Sequence, residues 1–348
     1  MIRIAELTDS EVDRKIGEIK ESMGSDLFIP VHHYQRDEIV RFSDYTGDSL
    51  ELSRVSSQTS ARYIVFCGVY FMAEIARVLS SEEKTVFMPN RDAGCPLADH
   101  GRLIDIEHVW EELQKLHGEE WVPVTYANSH IDVKAFCGRH GGFVCTSSNV
   151  KKVFGVILKK NRRVFFMPDR NLGINTAISL GMEKNFAVVG RNAPGSIDDI
   201  EGKKIVIWNG HCFVHTVFTV ERVKLFREKD PAFKIIVHPE CNPDVVRAAD
   251  MSGSTSYIKR TIEESNPGSK WAVGTETTFV NRLKSMHQDK VIEPLDRSVC
   301  LNMSMNRRRD LLKILISLQK HDFSQQIVVP PDVCEDAKKA ISRMLEIH

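Results

Sequence analysis

The sequence carries no excess charge of either sign, no long apolar run and no closely spaced cysteine pair, and each absence removes a class of function. Lys plus Arg and Asp plus Glu number 47 each among 348 residues, so no global field draws the chain toward nucleic acid or an anionic membrane. Recognition falls to local charge. No segment approaches the roughly 20 apolar residues that span a bilayer, and the opening MIRIAELTDSEVDRK lacks the basic-then-apolar pattern of a signal peptide. The expectation is a cytoplasmic protein with neither membrane nor nucleic acid as a partner. Eight cysteines occur without a single CxxC, which removes the compact zinc and ferredoxin spacings. In the cytoplasm stable disulfides are not expected, and one such cysteine taken alone reads as a small buried hydrophobe.

What is present is a repeat. At 348 residues the chain exceeds what one core serves, so two or three modest cores are expected. Three apolar strands each end in a polar pair separated by one residue: IPVHHYQ with His32 and Tyr34, VPVTYANS with Tyr126 and Asn128, and IIVHPEC with His238 and Glu240. Further on, each copy has a hydroxyl-rich turn before a helix-like stretch: GDSLELSR with Ser49, CTSSNVKK with Thr146 and Ser147, and GSTSYIKR with Ser254 and Thr255. These read as helix N-caps. A second strand and helix follow in each copy; in the first, Phe71, Ile75 and Val78 recur at helical spacing with Met72, Ala76 and Leu79. Each copy closes on a strand and a cysteine loop, DAGCPLAD with Cys95, WNGHCFVH with Cys212 and DRSVCLNM with Cys300.

Short β-branched strands alternating with helices predict parallel sheets covered on both faces. The fold class expected is α/β, with three doubly wound α/β/α domains in pseudo-threefold symmetry around a central active-site cavity. The boundaries read as a leading helix over 1–20, repeats over 21–108, 109–214 and 215–300, and C-terminal helices over 301–348 packing on the first repeat. The stretches CGRHGGF and GRNAPGSIDDIEG read as surface insertions in the middle copy. Arg307, Arg308 and Arg309 read as a solvated face.

In open parallel sheets ligands bind beyond the carboxyl ends of the strands, where every polar group named above lies. If the three copies turn those ends inward, Cys95, Cys212 and Cys300 supply one thiolate per repeat. Zinc with water or His as a fourth ligand is one reading; an iron–sulfur cube, larger and tolerant of ligands from separate loops, is another. A cube on three cysteines leaves one iron open as a Lewis acid for dehydration or condensation. Helix N-termini with hydroxyl caps suit a small anionic substrate. Tyr34 and Glu240 are the candidates for proton transfer, and His32 and His238 for anion positioning. Alternation sets His33 on the other strand face, as a structural residue.

The ordered motifs HHYQ, GDSLELSR, VFCGVYFMAE, DAGCPLAD, VTYANS, VCTSSN, MPDRNLG, WNGHCFVH, VHPEC, GSTSYI, GTE and CLNMSMN cover about residues 20–306, and in them the sequence resembles the quinolinate synthase family. The resemblance implies a three-domain α/β fold with a 4Fe-4S cluster on Cys95, Cys212 and Cys300. It implies condensation of iminoaspartate with dihydroxyacetone phosphate to quinolinate in de novo NAD biosynthesis, with an aspartate-oxidising enzyme as the upstream partner. It carries His32, Tyr34, Ser49, Tyr126, Asn128, Ser147, His215, His238, Glu240, Ser254 and Thr255 over as substrate-binding or catalytic residues, with Tyr34, Glu240, His32 and Tyr126 in the chemistry. Two departures stand out: His33 occupies a position that is often Asn or Phe, and there is no CxxC ahead of Cys300, so no redox switch of that kind is expected. Cys241, beside Glu240, has no counterpart in the other copies and stays outside the ligand set. The alternatives kept beside this reading are another cluster-dependent hydro-lyase acting on a small hydroxy acid, and a cluster-holding sensor without turnover.

Overall fold

The computed structural model describes residues 4–193 and 197–347. Among them the chain forms two compact units: residues 1–95 with 300–330, and residues 96–299 with 331–348.

The first unit carries five short strands: β1 (Leu27–Phe28), β2 (Pro30–His32), β3 (Tyr45–Gly47), β4 (Tyr63–Val65) and β5 (Thr85–Phe87). β1, β4 and β5 pair in parallel in that order, and β2 pairs in parallel with β3. A bridge between Val31 and Cys67 and the bond from the Cys67 N–H to the Pro30 carbonyl join the two ladders. Counted along the chain, with β1 and β2 as one strand, the order is 2-1-3-4. The helix Tyr70–Leu79 buries Phe71, Met72, Ile75, Ala76 and Val78, the face that periodicity marks. The leading helix spans Asp9–Met23, opens on a Thr8/Glu11 capping box, and buries Val12, Ile16 and Ile19. These pack in one core with Leu311, Leu312, Leu315 and Leu318 of the helix Arg308–Gln319. Burial of each such side chain is worth about 1.5–3 kcal/mol. The basic run before this helix is not a simple solvated face. Arg308 binds the Glu38 carboxylate at 2.7 and 3.0 Å and Asp13 at 3.3 Å, while Arg309 binds Asp9 at 2.6 Å. The arginines tie the two helices together.

The second unit carries two parallel sheets. One comprises β6 (Trp121–Tyr126), β7 (Phe143–Cys145), β8 (Arg163–Met167), β9 (Phe186–Val189) and β10 (Ile205–Trp208), ordered β7-β6-β8-β10-β9. The other comprises β11 (Phe233–Val237), β12 (Met251–Ser252), β13 (Lys270–Gly274) and β14 (Val291–Pro294), ordered β12-β11-β13-β14. With β9 set aside as an extra edge strand, both have the 2-1-3-4 order of the first unit. The likeness extends to single bonds. The Ile29 N–H donates to Asp44 Oδ2 at 2.8 Å and the Ile235 N–H to Asp250 Oδ2 at 2.7 Å, each pair 15 residues apart. The N–H two residues beyond His32 and beyond His238 donates to that ring's Nδ1, at 3.1 and 3.3 Å. A repeated sequence folds here into repeated local structure.

The C-terminal helices divide between the units, which corrects the expectation that both pack on the first repeat. The helix Pro331–Glu346 lies against the helix Ile131–Arg139 and β7. The reason is in CGRHGGF, which is not a surface insertion. Gly138 is buried, and a Cβ there would stand 1.8 Å from the Asp336 carbonyl oxygen. Only glycine admits the final helix so close. Of the other stretch, GRNAPGSIDDIEG, residues 194–196 lie outside the described residues, and Ile197–Ile200 form a 3-10 turn.

Candidate active site

In a 2-1-3-4 sheet the strand order reverses between the first and third strands, and the crevice beyond their carboxyl ends is the natural ligand site. In the second unit that crevice holds a buried polar cluster. Glu240, just past β11, is 2 % exposed. Its Oε1 accepts from the Tyr126 hydroxyl at 2.5 Å, and its Oε2 meets His215 Nδ1 at 2.8 Å. An ionised carboxylate only accepts, so Nδ1 carries the proton, and His215 Nε2 meets Thr275 Oγ1 at 3.0 Å. The His238 ring stacks on His215 at 4.3 Å between centroids. His238 Nδ1 accepts the Glu240 N–H, so it has no proton to give Glu240 Oε1, 3.9 Å away.

The charge distribution follows from these contacts. Burial pushes the Glu240 carboxyl up, but the His215 charge and the bonds from His215 and Tyr126 outweigh it and hold it well below the usual carboxylate range. Burial, then the charge of Glu240, pushes the Tyr126 phenol far above its ordinary value, so it stays protonated. Asp169, fully buried, is pushed up by burial and then by Glu240. Of the two carboxyls the negative charge is thus favoured on Glu240 over Asp169. Asp169 Oδ1 caps the helix Arg170–Ser179 through the Leu172 N–H at 2.7 Å.

Neighbouring groups fix the loops that carry the cluster. Asn171 Nδ2 donates to the Glu240 carbonyl at 3.1 Å; Asn175 Nδ2 donates to the carbonyls of Pro239 and Cys241 at 2.8 and 2.9 Å. The two asparagines lie four apart on one helix face. Beyond β6, the Ser129 hydroxyl donates to the Tyr126 carbonyl at 2.8 Å, and the buried Lys134 ammonium binds the Ser129 carbonyl. Ser147 hydrogen-bonds the Tyr126 phenol. Asn128 Oδ1 is buried with no hydrogen-bond partner among the described residues, which suits it to a ligand donor.

The structure thus brings together Tyr126, Ser147, His215, His238 and Glu240 of the sequence-derived set, with Asn128 two residues beyond Tyr126 in the chain. Ser254 caps the helix Thr255–Glu263 by accepting from the Tyr257 N–H at 3.3 Å, and Thr255 is buried behind it. Ser49 is not a cap. Asp48 takes that role, its Oδ1 accepting from the Leu50 and Glu51 N–H groups at 3.0 and 3.1 Å, because Asp48 holds the extended backbone before the helix and Ser49 is already its first residue. Asn149, not Thr146 or Ser147, stands at the cap of Val150–Lys159, and its Oδ1 accepts from the Thr146 N–H at 2.8 Å. In the first unit the His32 and Tyr34 rings meet edge to face at 4.8 Å, both buried, while His33 Nε2 lies 4.0 Å from Glu51. Sequence reasoning misses Asp169, Asn171, Asn175 and Thr275. MPDRNLG holds the first two and Asn175 follows it, so Asn-x-x-x-Asn after a strand is the legible signal.

The cysteines separate by environment. Cys67, Cys137, Cys145 and Cys241 are fully buried, and burial pushes each thiol well up, which disfavours a thiolate ligand. Cys95, Cys212 and Cys300, on their three loops, are half-buried, as is Cys334 within the helix Pro331–Glu346. Ligand atoms of Cys212, His215 and Glu240 lie within 4.8 Å of one another. His215 and Glu240 bond each other directly, so in this arrangement they pair rather than share a cation. Of the loop cysteines, Cys212 stands at this cluster, and a thiolate is the soft donor that iron–sulfur groups take.

Parallel sheets with an ionised carboxylate, a protonated phenol and paired imidazoles at a switch point define an α/β enzyme of acid–base chemistry. Residues 14–346 match the family described as Quinolinate synthetase A protein. The chain is 44% identical over 344 residues to the quinolinate synthase of Geobacillus kaustophilus strain HTA426, spanning 97% of this chain and 94% of the relative. It is 45% identical over 343 residues to that of Geobacillus sp. strain WCH70, with the same coverage, and 44% identical over 345 residues to that of Bacillus velezensis. The chain belongs to the quinolinate synthetase A family of enzymes. No helix among the described residues is long and apolar enough to cross a membrane.

Proposed function

We propose that this enzyme condenses iminoaspartate with dihydroxyacetone phosphate, losing phosphate and water to form quinolinate, in the cytoplasm and for NAD biosynthesis. The observation that carries the reading is the pairing of ionised Glu240 with the protonated Tyr126 phenol. A ring-forming condensation with loss of water needs a base to take a proton and an acid to protonate the departing oxygen. Glu240 is the base and Tyr126 the acid. His215, anchored on Thr275, holds the carboxylate in place and disperses its charge. The open Asn128 carbonyl oxygen and the helix starting at Thr255 orient the substrate's amine or carboxylates. His32, Tyr34 and Ser49 from the first unit supply further substrate contacts, with Tyr34 a second proton donor.

Cys95, Cys212 and Cys300 hold a 4Fe-4S cluster in this reading; deep burial sets Cys67, Cys137, Cys145 and Cys241 aside, and the half-buried Cys334 differs from the three in standing within a helix rather than on a loop. When bound, the cluster supplies a Lewis-acidic iron that polarises a substrate oxygen. In this reading the three repeats, bounded as 21–108, 109–214 and 215–300, contribute one thiolate each about a pseudo-threefold axis, and their common 2-1-3-4 order supports it. An aspartate-oxidising enzyme is the upstream source of iminoaspartate. Anaerobic purification, iron and sulfide analysis and an assay for quinolinate from the two substrates test the proposal. About four irons per chain with quinolinate formed are expected. The same iron content without quinolinate refutes the synthase reading and leaves a cluster-dependent hydro-lyase.

A further inference from the structure

A cleft of about 610 Å³ in the second unit, lined among others by His100, Arg102, Arg170, Arg191, Asn209 and His211, has no role in the chemistry above. Its size falls within the range of small-molecule sites. Its two carboxylates are already engaged: Asp105 takes Arg102 Nε and Nη2 at 2.7 and 3.0 Å, and Asp99 lies 2.8 Å from His130 Nε2. Two guanidinium charges are left without a carboxylate of their own. Arg170 is held by neutral amide oxygens, Asn209 Oδ1 at 3.1 Å and Asn171 Oδ1 at 3.4 Å, which fix its fork without cancelling its charge. The Arg191 side chain makes no hydrogen bond or ion pair among the described residues, and Asp105 feels it only as a more distant charge.

One side chain ties these arginines together. Asn209 accepts from Arg170 through Oδ1 and donates through Nδ2 to the Arg191 carbonyl at 3.0 Å. The His100 and His211 rings stand 4.8 Å apart beside them, with the His100 carbonyl pinned by Trp208 Nε1 at 2.8 Å. Two guanidinium groups and two imidazole rings lining one cleft offer the donors that the oxygens of a tetrahedral dianion take.

We propose that this cleft is an anion site that takes a phosphate group, carried by inorganic phosphate or by a small phosphate monoester. Neither Glu240, His215, His238 nor Tyr126 lines it, and the proposal does not depend on the reaction assigned above. Isothermal titration of the anaerobically purified full chain, at fixed ionic strength, with inorganic phosphate and with glycerol 3-phosphate tests it. Arg191→Gln is the probe, and Lys151→Gln, an exposed lysine outside the cleft, removes the same charge elsewhere. The wild type is expected to bind at least one probe, and the tighter one identifies the carrier. Arg191→Gln should weaken it about tenfold or more with an unchanged melting temperature, since an exposed side chain without internal bonds is replaced; Lys151→Gln should change it less than about twofold. Absence of binding to the wild type, an Arg191→Gln isotherm identical to wild type, or equal weakening by both substitutions overturns the proposal.

Discussion

Replacing Tyr126 by Phe removes one oxygen and keeps the buried ring, so its consequences can be worked from a single contact. The lost bond runs from the phenol to Glu240 Oε1 at 2.5 Å, inside a cluster with almost no solvent exposure. A buried hydrogen bond to a charged acceptor is worth about 1.5–3 kcal/mol. Unfolding entropy near 2.1 cal/mol/K per residue converts about 2 kcal/mol into a melting decrease of about 5 °C for a unit of some 200 residues. The protein stays folded at 25 °C. If the phenol delivers a proton, turnover falls by about 10²–10⁴-fold, far beyond what that stability loss explains. Anaerobic quinolinate assays at saturating substrate, paired with calorimetry and iron analysis, separate the two effects. Turnover within about threefold of wild type, at full iron content, would refute the assignment of Tyr126 as the acid and leave that role to Tyr34.

Substitution of Cys95, Cys212 or Cys300 by Ser should abolish the iron–sulfur absorption, whereas Cys67→Ala, Cys137→Ala, Cys145→Ala or Cys241→Ala should keep about four irons; iron loss in the second group alone would reject the ligand set. His215→Gln removes the strongest influence holding the Glu240 carboxyl down. In the wild type the depressed pKa gives stability that is present above the unfolded value of about 4.3 and lost as pH falls. In the variant the carboxyl is held down less, so the stability lost as pH falls below the unfolded value shrinks, by about 1.4 kcal/mol for each pKa step of one. Urea midpoints from pH 3 to 6 should fall less steeply toward acid in the variant; parallel profiles would contradict it. Gly138→Ala places a Cβ 1.8 Å from the Asp336 carbonyl and should cost about 3 kcal/mol or more, read as lost hydrogen-exchange protection over Pro331–Glu346. Unchanged protection would show that the final helix is seated otherwise.

Local order, strand by strand, was legible in the sequence because backbone bonding within a βα unit depends on nearby residues. The three strand-end pairs, the buried face of Tyr70–Leu79 and the Ser254 cap all follow from spacing and side-chain type. The Ser49 cap failed for a local reason as well, since Asp48 holds the extended backbone before the helix and Ser49 is already its first residue. Charge pairing was out of reach. Arg308 reads as one of three exposed arginines until Glu38, 270 residues away, is brought to it.

The candidate site divides in the same way. Sequence alone determined which residue types stand at the strand ends, because alternation and repeat position are properties of the chain. Only the tertiary structure decided that the phenol on Glu240 is Tyr126, 114 residues distant, that Asn171 and Asn175 hold the Glu240 loop, and that the final helix closes over Gly138. The physical reason is common to all three. Proton affinity and close packing depend on burial and on partners from other elements, and neither exists until those elements meet.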